Sequence, residues 1–379
     1  MAKSLTLNKT IDEYRKNFYK MYHSTIVPIF VKYERERKSE LLALIIFVSI
    51  SAFMAIISYQ GMTRANADGS YGYINIVCFL LLVVSVIATI ALPFYFYNKF
   101  LKKLKSECMQ KLLKLFGDVN WFWNVHLIDD KELYNSELFS DYNMRATDDS
   151  FMGSYKGVKF QISETKLQQE SHNGRYRRVY TIFKGVVIKF DANKPVRNKT
   201  IVATKGDIYI GPTSTVYSLW AAVAYLALTM FSDISRGYSS EIIFFKAAFI
   251  VIIILGMFIA NFINRGKKEV LNEIKLEDPE FSKRYKAYSS DQIEGRYLIT
   301  PAFMERFKNI QTAFGSRMVK CSFYNDSLMF AISTNKNLFE IGNLFCSLEN
   351  PKQLETFFNE LTSIFMLVDY FKLDEKTGL

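Results

Sequence analysis

The chain has 379 residues, of which 50% are hydrophobic and 16% aromatic, and its formal net charge at pH 7 is +11. These values exclude the acidic, disordered and collagen-like classes, and the 7 prolines leave long segments uninterrupted. Three histidines and four cysteines, with no CxxC or HxxxH spacing, do not form a typical zinc site. We therefore expect no metal and no cofactor.

Residues 1–40 are predicted to form an amphipathic lead-in helix in the cytoplasm. Ile11, Tyr14 and Phe18 recur at helical spacing among lysines. Pro28 is expected to kink or end this helix, because proline has no backbone N–H to donate.

Two apolar stretches without any charged residue come next and predict a transmembrane hairpin over residues 41–97. Leu41–Tyr59 has 19 residues and Ile74–Tyr97 has 24, close to the roughly 20 residues that cross a bilayer core as a helix. A buried helix pair of a soluble protein would need polar residues on its water-facing sides, and these stretches lack them.

A second apolar pair predicts another transmembrane hairpin over residues 213–264. Its members are Val216–Phe231 and Ile242–Ile263. Lys246 is tolerated near a helix end, where its ammonium can reach the membrane interface. A re-entrant or interface-lying pair is the alternative.

Cations flank these stretches on one side, which by the positive-inside rule places both termini in the cytoplasm. A basic helix, Lys99–Phe116, follows the first hairpin and is expected to stop at Gly117. The cations predicted to contact anionic lipid headgroups are Lys99, Lys102, Lys103, Lys105, Arg265, Lys267 and Lys268.

The remaining sequence predicts one cytoplasmic α+β domain in two halves, residues 98–212 and 265–379, on either side of the second hairpin. A C-terminal helix after Asn350 carries a continuous apolar stripe and is expected to close over a sheet. The predicted fold is therefore α+β, an antiparallel sheet with covering helices, anchored by two transmembrane helical hairpins. The predicted strands are Ser154–Glu164, Arg178–Asp191, Thr200–Ile210, Val270–Leu276, Met318–Phe323 and Leu328–Ser333, the last two joined by a turn at Asn325 and Asp326, and a helix is predicted over Pro301–Phe314.

Four motifs in this domain resemble the bacterial domain-of-unknown-function family 3137. They are FMGSYKGVKFQISETKL from Phe151, VYTIFKGVVIKFDANKP from Val179, KLEDPEFSKRYKAYSSDQIEGRYLITPAFMERF from Lys275, and SFYNDSLMFAI from Ser322 leading to LFEIG. The resemblance covers roughly residues 145–345 and implies a membrane-anchored protein with a cytoplasmic domain of unknown activity. One departure is Gly295, where the family pattern more often has a small Ala, a conservative change.

The densest polar cluster of the chain lies in the third of these motifs. We expect it to be a partner or ligand surface formed by Glu277, Asp278, Asp291, Glu294 and Arg296. Paired carboxylates could also serve acid/base catalysis. The simpler interpretation is structural: Asp278 before Pro279 starts a helix, and Glu294 and Arg296 share one strand face as an ion pair.

The sequence therefore predicts a multi-pass protein of the bacterial inner (cytoplasmic) membrane whose cytoplasmic domain binds a protein or lipid partner without turnover. Anionic headgroups, a partner protein or a second copy of the chain are the expected partners. Nucleic acid is not expected, because the lysines concentrate beside the apolar spans. The alternatives are a membrane-bound enzyme that uses the region of Asp291, Glu294 and Arg296, and a small transporter or channel component.

Overall fold

The structure is a computed structural model, and it describes residues 15–67, 72–173, 176–192, 195–207, 223, 225–230, 232–233, 246–256, 271–313, 316, 318–371 and 373. Within these residues the chain is α+β, as predicted, with a nine-stranded antiparallel sheet and two long apolar helices. It divides into two compact units. The first contains residues up to Trp121 together with Asn337–Phe365, and the second contains Phe122–Lys336 and the residues from Met366 onward.

The two long helices, α1 (Val27–Ala67) and α2 (Tyr73–Leu113), contain the first predicted hairpin. They are antiparallel, and the hydroxyl groups of Ser51 and Thr89 lie 2.9 Å apart between them. Each is long and apolar enough to cross a membrane, by length and composition. α2 is followed by a 3₁₀ turn, Lys114–Phe116, so this helical segment stops before Gly117 as predicted.

Helical backbone is already present at residue 15 and continues into α1 through a π turn, Tyr22–Ile26. The Val27 N–H donates to the Tyr22 carbonyl across this turn. The helix therefore does not end at Pro28. The wider π spacing lets the backbone continue past a residue that has no N–H to donate.

The second predicted hairpin lies mostly outside the described residues. Helical segments are described at 225–230 and Lys246–Gly256. Lys246, which was expected to reach the interface, forms an ion pair with Asp233. Its charge is thus balanced within the chain.

The sheet runs through most of the second unit in the strand order β1-β2-β3-β4-β9-β8-β5-β7-β6. The central strand β9 is paired along its whole length with β4. β8 and β9 form the predicted hairpin, with φ of 46° and 54° at Asn325 and Asp326. The strands are β1 (Val119–Trp123), β2 (Met144–Tyr155), β3 (Val158–Asn173), β4 (Tyr176–Asp191), β5 (Thr200–Thr204), β6 (Asn272–Ile274), β7 (Tyr285–Ser289), β8 (Val319–Tyr324) and β9 (Ser327–Ser333).

One strand prediction was wrong. Ser154–Glu164 is not a single strand but the tight end of the β2–β3 hairpin, in which Lys156 and Gly157 turn the chain with φ of 50° and 79°. Apolar alternation continues on both sides of such a two-residue turn, so periodicity alone does not reveal it. The predicted strand Thr200–Ile210 is confirmed only as far as Thr204, and residues 208–210 lie outside the described part of the chain.

Short helices cover the sheet. On one side Phe303 and Phe307 of α6 pack against Phe323 and Phe330 of β8 and β9, with ring centroids 5.6 and 6.5 Å apart. This confirms the predicted helix near Pro301 as a covering helix. The helices that follow α2 in the chain are the short helices α3 (Asp130–Asn135), α4 (Pro279–Arg284), α5 (Gln292–Leu298) and α6 (Pro301–Ala313), and the longer C-terminal helix α7 (Lys352–Tyr370).

The C-terminal helix α7 begins as predicted, because the Asn350 side chain accepts a hydrogen bond from the Lys352 N–H at 3.0 Å. The prediction that this helix closes over the sheet is incomplete, because part of its apolar stripe packs against helical residues of the first unit. Within the first unit, Phe358 packs on Phe18 and Phe116, with centroid distances of 4.4 and 5.7 Å. An apolar stripe predicts that a helix is covered on one side, but it does not identify the covering element.

Candidate functional site

The predicted acidic surface is divided among separate local roles. The first is the N-cap of α4, where an Asp278 carboxylate oxygen accepts hydrogen bonds from the N–H groups of Glu280 (2.8 Å) and Phe281 (3.1 Å). These backbone hydrogen bonds, with the Lys308 ammonium 3.5 Å away, hold the pKa of Asp278 below its usual value. The helix start predicted at Asp278 is confirmed, while Glu277 is exposed.

The second role belongs to α5, which carries the other predicted site residues. Asp291 caps this helix through hydrogen bonds from the N–H groups two and three residues further on, at 2.7 and 3.2 Å. The Glu294 carboxylate accepts hydrogen bonds from the N–H groups of Arg197 (3.0 Å) and Asn198 (3.1 Å). The predicted strand face with a Glu294–Arg296 ion pair was therefore wrong: both residues lie on a helix, Glu294 binds backbone amides, and Arg296 is exposed. A seven-residue helix is too short to show helical periodicity in a sequence.

The predicted headgroup lysines lie on α2, just outside its charge-free part. Lys99 pairs with Glu40 of α1 at 2.8 Å, and Lys103 pairs with Glu36 at 2.6 Å. The hydrogen bond to Glu40 raises the pKa of Lys99. Both lysine side chains remain about half exposed although their ammonium groups are paired. Lys102 is exposed as well, and the predicted contacts Arg265, Lys267 and Lys268 lie outside the described residues.

Lys105 does not fit the predicted headgroup contact. Its side chain is only 2% exposed, and its ammonium group lies 3.2 Å from the Glu340 carboxylate. Lys105 lies on the buried apolar face of α2, and a buried ammonium group requires a counter-ion.

A buried ion pair that the sequence analysis missed fixes a loop of the first unit to α1. Arg37 donates two hydrogen bonds to Glu34, at 2.8 and 2.7 Å, and a third to the Leu344 carbonyl at 3.0 Å. The Leu348 N–H donates to Glu34 at 3.0 Å. The hydrogen bonds from Arg37 outweigh burial and lower the pKa of Glu34 to about 2. The only sequence signal is a Glu and an Arg at i,i+3 spacing, which usually indicates an exposed pair.

The loop held by this pair also carries an aromatic contact at the end of the apolar part of α2. Phe345 stacks on Tyr97, with ring centroids 5.9 Å apart and planes 15° from parallel. Phe345 nevertheless remains 58% exposed, and the neighbouring Cys346 is exposed. Amphipathic and aromatic rings at such a position favour the headgroup zone of a membrane.

Three carboxylates of the second unit form a cluster that could hold a cation. Ligand atoms of Asp148, Asp149 and Glu164 all lie within 4.8 Å of one another. Asp148 and Asp149 occupy an irregularity in the β2–β3 pairing, a kind of feature that often redirects side chains. Asp148 also accepts a hydrogen bond from the Trp123 indole N–H at 3.1 Å. Clustered carboxylates alone do not assign a metal.

A cavity of about 550 Å³ lies within the first unit, and Tyr97, Asn343, Cys346, Asn350 and Lys352 are among its lining residues. A second cavity, of about 530 Å³, lies within the second unit beside α3. Arg145 lines this second cavity and donates a hydrogen bond to Asp130 at 2.8 Å. Neither cavity was predicted from the sequence.

A family model matches residues 181–373, just over half of the chain, and its description is a protein of unknown function, DUF3137. The match begins inside β4 and extends through α7, so it includes the C-terminal helix and leaves out the motif from Phe151. No curated protein and no solved structure matched the chain.

Gly295, where the family pattern more often has Ala, lies at a closely packed position. A Cβ atom at this position would lie 2.4 Å from Ile274 Cδ1 and 2.8 Å from Ser289 Cβ. The space beside α5 is therefore filled by side chains of β6 and β7.

Proposed function

The chain belongs to the DUF3137 family of proteins of unknown function, and from that premise we propose that it is an integral membrane protein that acts as a binding module at the cytoplasmic membrane surface. In this proposal α1 and α2 anchor the protein, both termini lie in the cytoplasm, and the first unit contacts the lipid headgroup layer. The sequence also allows a protein partner or a second copy, but the geometry of the first unit favours the lipid surface.

The observation that carries the proposal is the apolar surface of α1 and α2. Residues 41–63 and 73–98 contain no ionisable side chain other than tyrosine and cysteine. Large side chains such as Phe53 and Phe94 are mostly exposed in both helices. Leaving a large apolar side chain in water rather than burying it costs about 1.5–3 kcal/mol, so this surface requires an apolar phase such as a bilayer core.

The charges at one end of the hairpin support a membrane boundary there. Glu40 and Lys99 are the first charged residues beyond the apolar parts of α1 and α2, and they pair with each other. Phe345 and Tyr97 stack at the same end of α2. Half-exposed lysine side chains beside an exposed aromatic ring are the combination expected at a headgroup layer.

The roles of Asp291 and Glu294 favour a binding module over the alternative of an enzyme. Both carboxylates accept hydrogen bonds from backbone N–H groups, which keeps them engaged in the fold. The charge-free spans likewise argue against a transporter, because ion and substrate pathways usually need ionisable residues within the membrane.

Native cysteines provide a direct test of this topology. Cys346 is exposed, whereas Cys108 and Cys321 are buried, and burial raises the pKa of Cys108 to about 12 and also raises that of Cys321. We expect a membrane-impermeant maleimide to leave the wild-type protein unlabelled in intact cells and to label it after permeabilisation. The Ser70→Cys variant, changed in the segment between α1 and α2, should be labelled in intact cells.

A Cys346→Ser variant is the matched control, since it should lose most labelling after permeabilisation. Labelling of the wild-type protein in intact cells, or release of the protein from membranes by alkaline carbonate, would contradict the proposal. Alanine at Arg296 should leave membrane attachment unchanged, because its side chain is exposed in the second unit.

A further inference from the structure

The second cavity of the molecule contains an arginine whose hydrogen-bonding capacity is only partly used. Arg145, at the start of β2, lines the cavity with residues of α3 and of the segment between α3 and β2. Its side chain is 5% exposed. Only Nη1 has a partner among the described residues, the Asp130 carboxylate at 2.8 Å, while Nε and Nη2 are buried without one.

The unpaired nitrogens lie on one edge of the guanidinium group. Nε and Nη2 donate in parallel, which is the geometry that binds two oxygens of a carboxylate or a phosphate at once. Buried donors that lack a partner are rare in folded proteins and carry a desolvation cost. An oxyanion on this edge would satisfy both nitrogens together.

Asp130 holds the opposite side of the guanidinium group in place. Its Oδ1 atom accepts hydrogen bonds from Nη1 of Arg145 and, at 2.7 Å, from the Tyr142 hydroxyl. Partial desolvation raises the pKa of Asp130, whose side chain is mostly exposed, but the hydrogen bonds from Tyr142 and Arg145 outweigh it and leave the pKa below its usual value. The charged Asp130 thus orients Arg145 and leaves the Nε–Nη2 edge for another group.

We propose that this cavity binds a small organic ligand through an oxyanion, a carboxylate or a phosphate, held on the Nε–Nη2 edge of Arg145. The volume of about 530 Å³ suits a small molecule, and Phe139 and Tyr134 offer apolar surface for its body. Asp130 and Asp141 also line the cavity, so a singly charged carboxylate fits better than a doubly charged phosphate. The two nitrogens are covered, and binding therefore includes a side-chain rearrangement, as is common at binding sites.

This site goes beyond the proposed function and does not depend on it, because it lies wholly within the second unit. The test uses the full chain in detergent and trifluoroacetate as a carboxylate probe, observed by ¹⁹F NMR. We expect the probe signal to broaden with wild-type protein and to sharpen again when acetate is added. Inorganic phosphate should displace the probe at a higher concentration than acetate, and the reverse order would identify a phosphate site instead.

Three variants locate the binding. Arg145→Gln removes the charge, and Arg145→Lys keeps the charge but removes the two-nitrogen edge, so both should weaken probe binding by at least about tenfold. Ser140→Trp leaves Arg145 in place and fills the cavity that Ser140 lines, so it should weaken binding too. Arg296→Gln is the matched control, since Arg296 is exposed on α5 and is not among the residues that line this cavity.

A wild-type signal that does not broaden, or that acetate and phosphate both fail to restore, would overturn the proposal and leave water as the partner of the two nitrogens. Equal broadening in the wild type, in Ser140→Trp and in a folded Arg145 variant would overturn it as well, since the probe would then bind elsewhere or to the micelle. The wild-type and Ser140→Trp measurements keep the proposal testable even where an Arg145 variant does not fold.

Discussion

Phenylalanine side chains are exposed on the two long helices and buried at the centre of the sheet. Phe53 of α1 is 63% exposed, whereas Phe330 of β9 is fully buried. Phe330 lies among aromatic rings, with Phe190, Phe307 and Phe371 at centroid distances of 6.3, 6.5 and 5.1 Å. The sheet region therefore has its own apolar core, whereas the two helices expose their apolar side chains.

The charged residues, by contrast, connect distant chain segments in both units. In the first unit, ion pairs connect chain segments that are distant in sequence, as when Glu34 and Arg37 hold Leu344 and Leu348. In the second unit, Lys320 of β8 pairs with Asp207 at 3.0 Å and both side chains are almost fully buried, while Lys199 pairs with Glu137 at 2.7 Å. We infer that apolar packing and a buried ion pair together stabilise the second unit, and that in the first unit charge pairing fastens the loop of residues 344–348 to α1.

The largest expected effect tests the contrast between the two phenylalanines. Phe330→Ala should destabilise the detergent-solubilised protein by about 3–5 kcal/mol, because it removes a fully buried ring from a packed core. Phe53→Ala is the matched control and should change the stability by less than about 0.5 kcal/mol, since its ring is exposed. Guanidinium unfolding monitored by tryptophan fluorescence would measure both. Equal losses in the two variants would break the comparison.

Much of the sheet could be predicted because its strands carry local signals. The β8–β9 hairpin has alternating apolar residues around Asn325 and Asp326, and both residues tolerate positive φ. The turn at Lys156 and Gly157 carries a weaker signal, because lysine is not a typical turn residue, and the prediction missed it. The start of α4 was also predictable from a local signal, because an aspartate directly before a proline marks the start of a helix.

The candidate sites could not be predicted, because they depend on contacts between distant segments. Arg145 and Asp130 come from a strand and a short helix, and nothing in the local pattern shows that one edge of the guanidinium group stays unpaired. Glu34 and Arg37 stand at a spacing typical of exposed helix pairs, and their burial requires the loop near Leu344. The pairing of Lys99 with Glu40 and of Lys103 with Glu36 was within reach, since both pairs repeat at four-residue spacing on antiparallel helices.

The second prediction sharpens the role of charge in the first unit. Glu34→Gln should cost about 3 kcal/mol, because it leaves the Arg37 guanidinium buried without its counter-ion. The loss should appear as faster hydrogen exchange at residues 344–348, measured by mass spectrometry. A Glu34→Leu/Arg37→Leu double variant should recover part of the stability, because no unpaired charge is left behind. Unchanged exchange in Glu34→Gln would show that packing alone holds the loop.

Lowering the pH should weaken the Glu34–Arg37 pair in the wild-type protein, as the Glu34→Gln substitution does. The folded pKa of Glu34, about 2, is below its usual value of 4.5, so the pair stabilises the protein above pH 4.5. The stabilisation, about 3 kcal/mol for a difference of this size, is lost progressively as the pH falls from 4.5 towards 2. Exchange protection at residues 344–348 should therefore fall over this range, after correction for intrinsic rates. Glu34→Gln should lack this pH dependence, and a parallel decline in both proteins would assign it to other carboxylates.

The smallest expected effect tests how closely the second unit is packed. Gly295→Ala should destabilise the protein by about 1–3 kcal/mol through overpacking, partly offset by about 1 kcal/mol of improved helix propensity. The nearest atom to the new Cβ is Ile274 Cδ1, at 2.4 Å, and Ile274→Val removes that atom. The double variant should therefore be more stable than the sum of the two single changes predicts, as thermal unfolding in detergent would show. If the two changes are strictly additive, the strain comes from Ser289, whose Cβ lies at 2.8 Å. If Gly295→Ala instead stabilises the protein, the side chains at this edge of the sheet can move to accommodate the new methyl group.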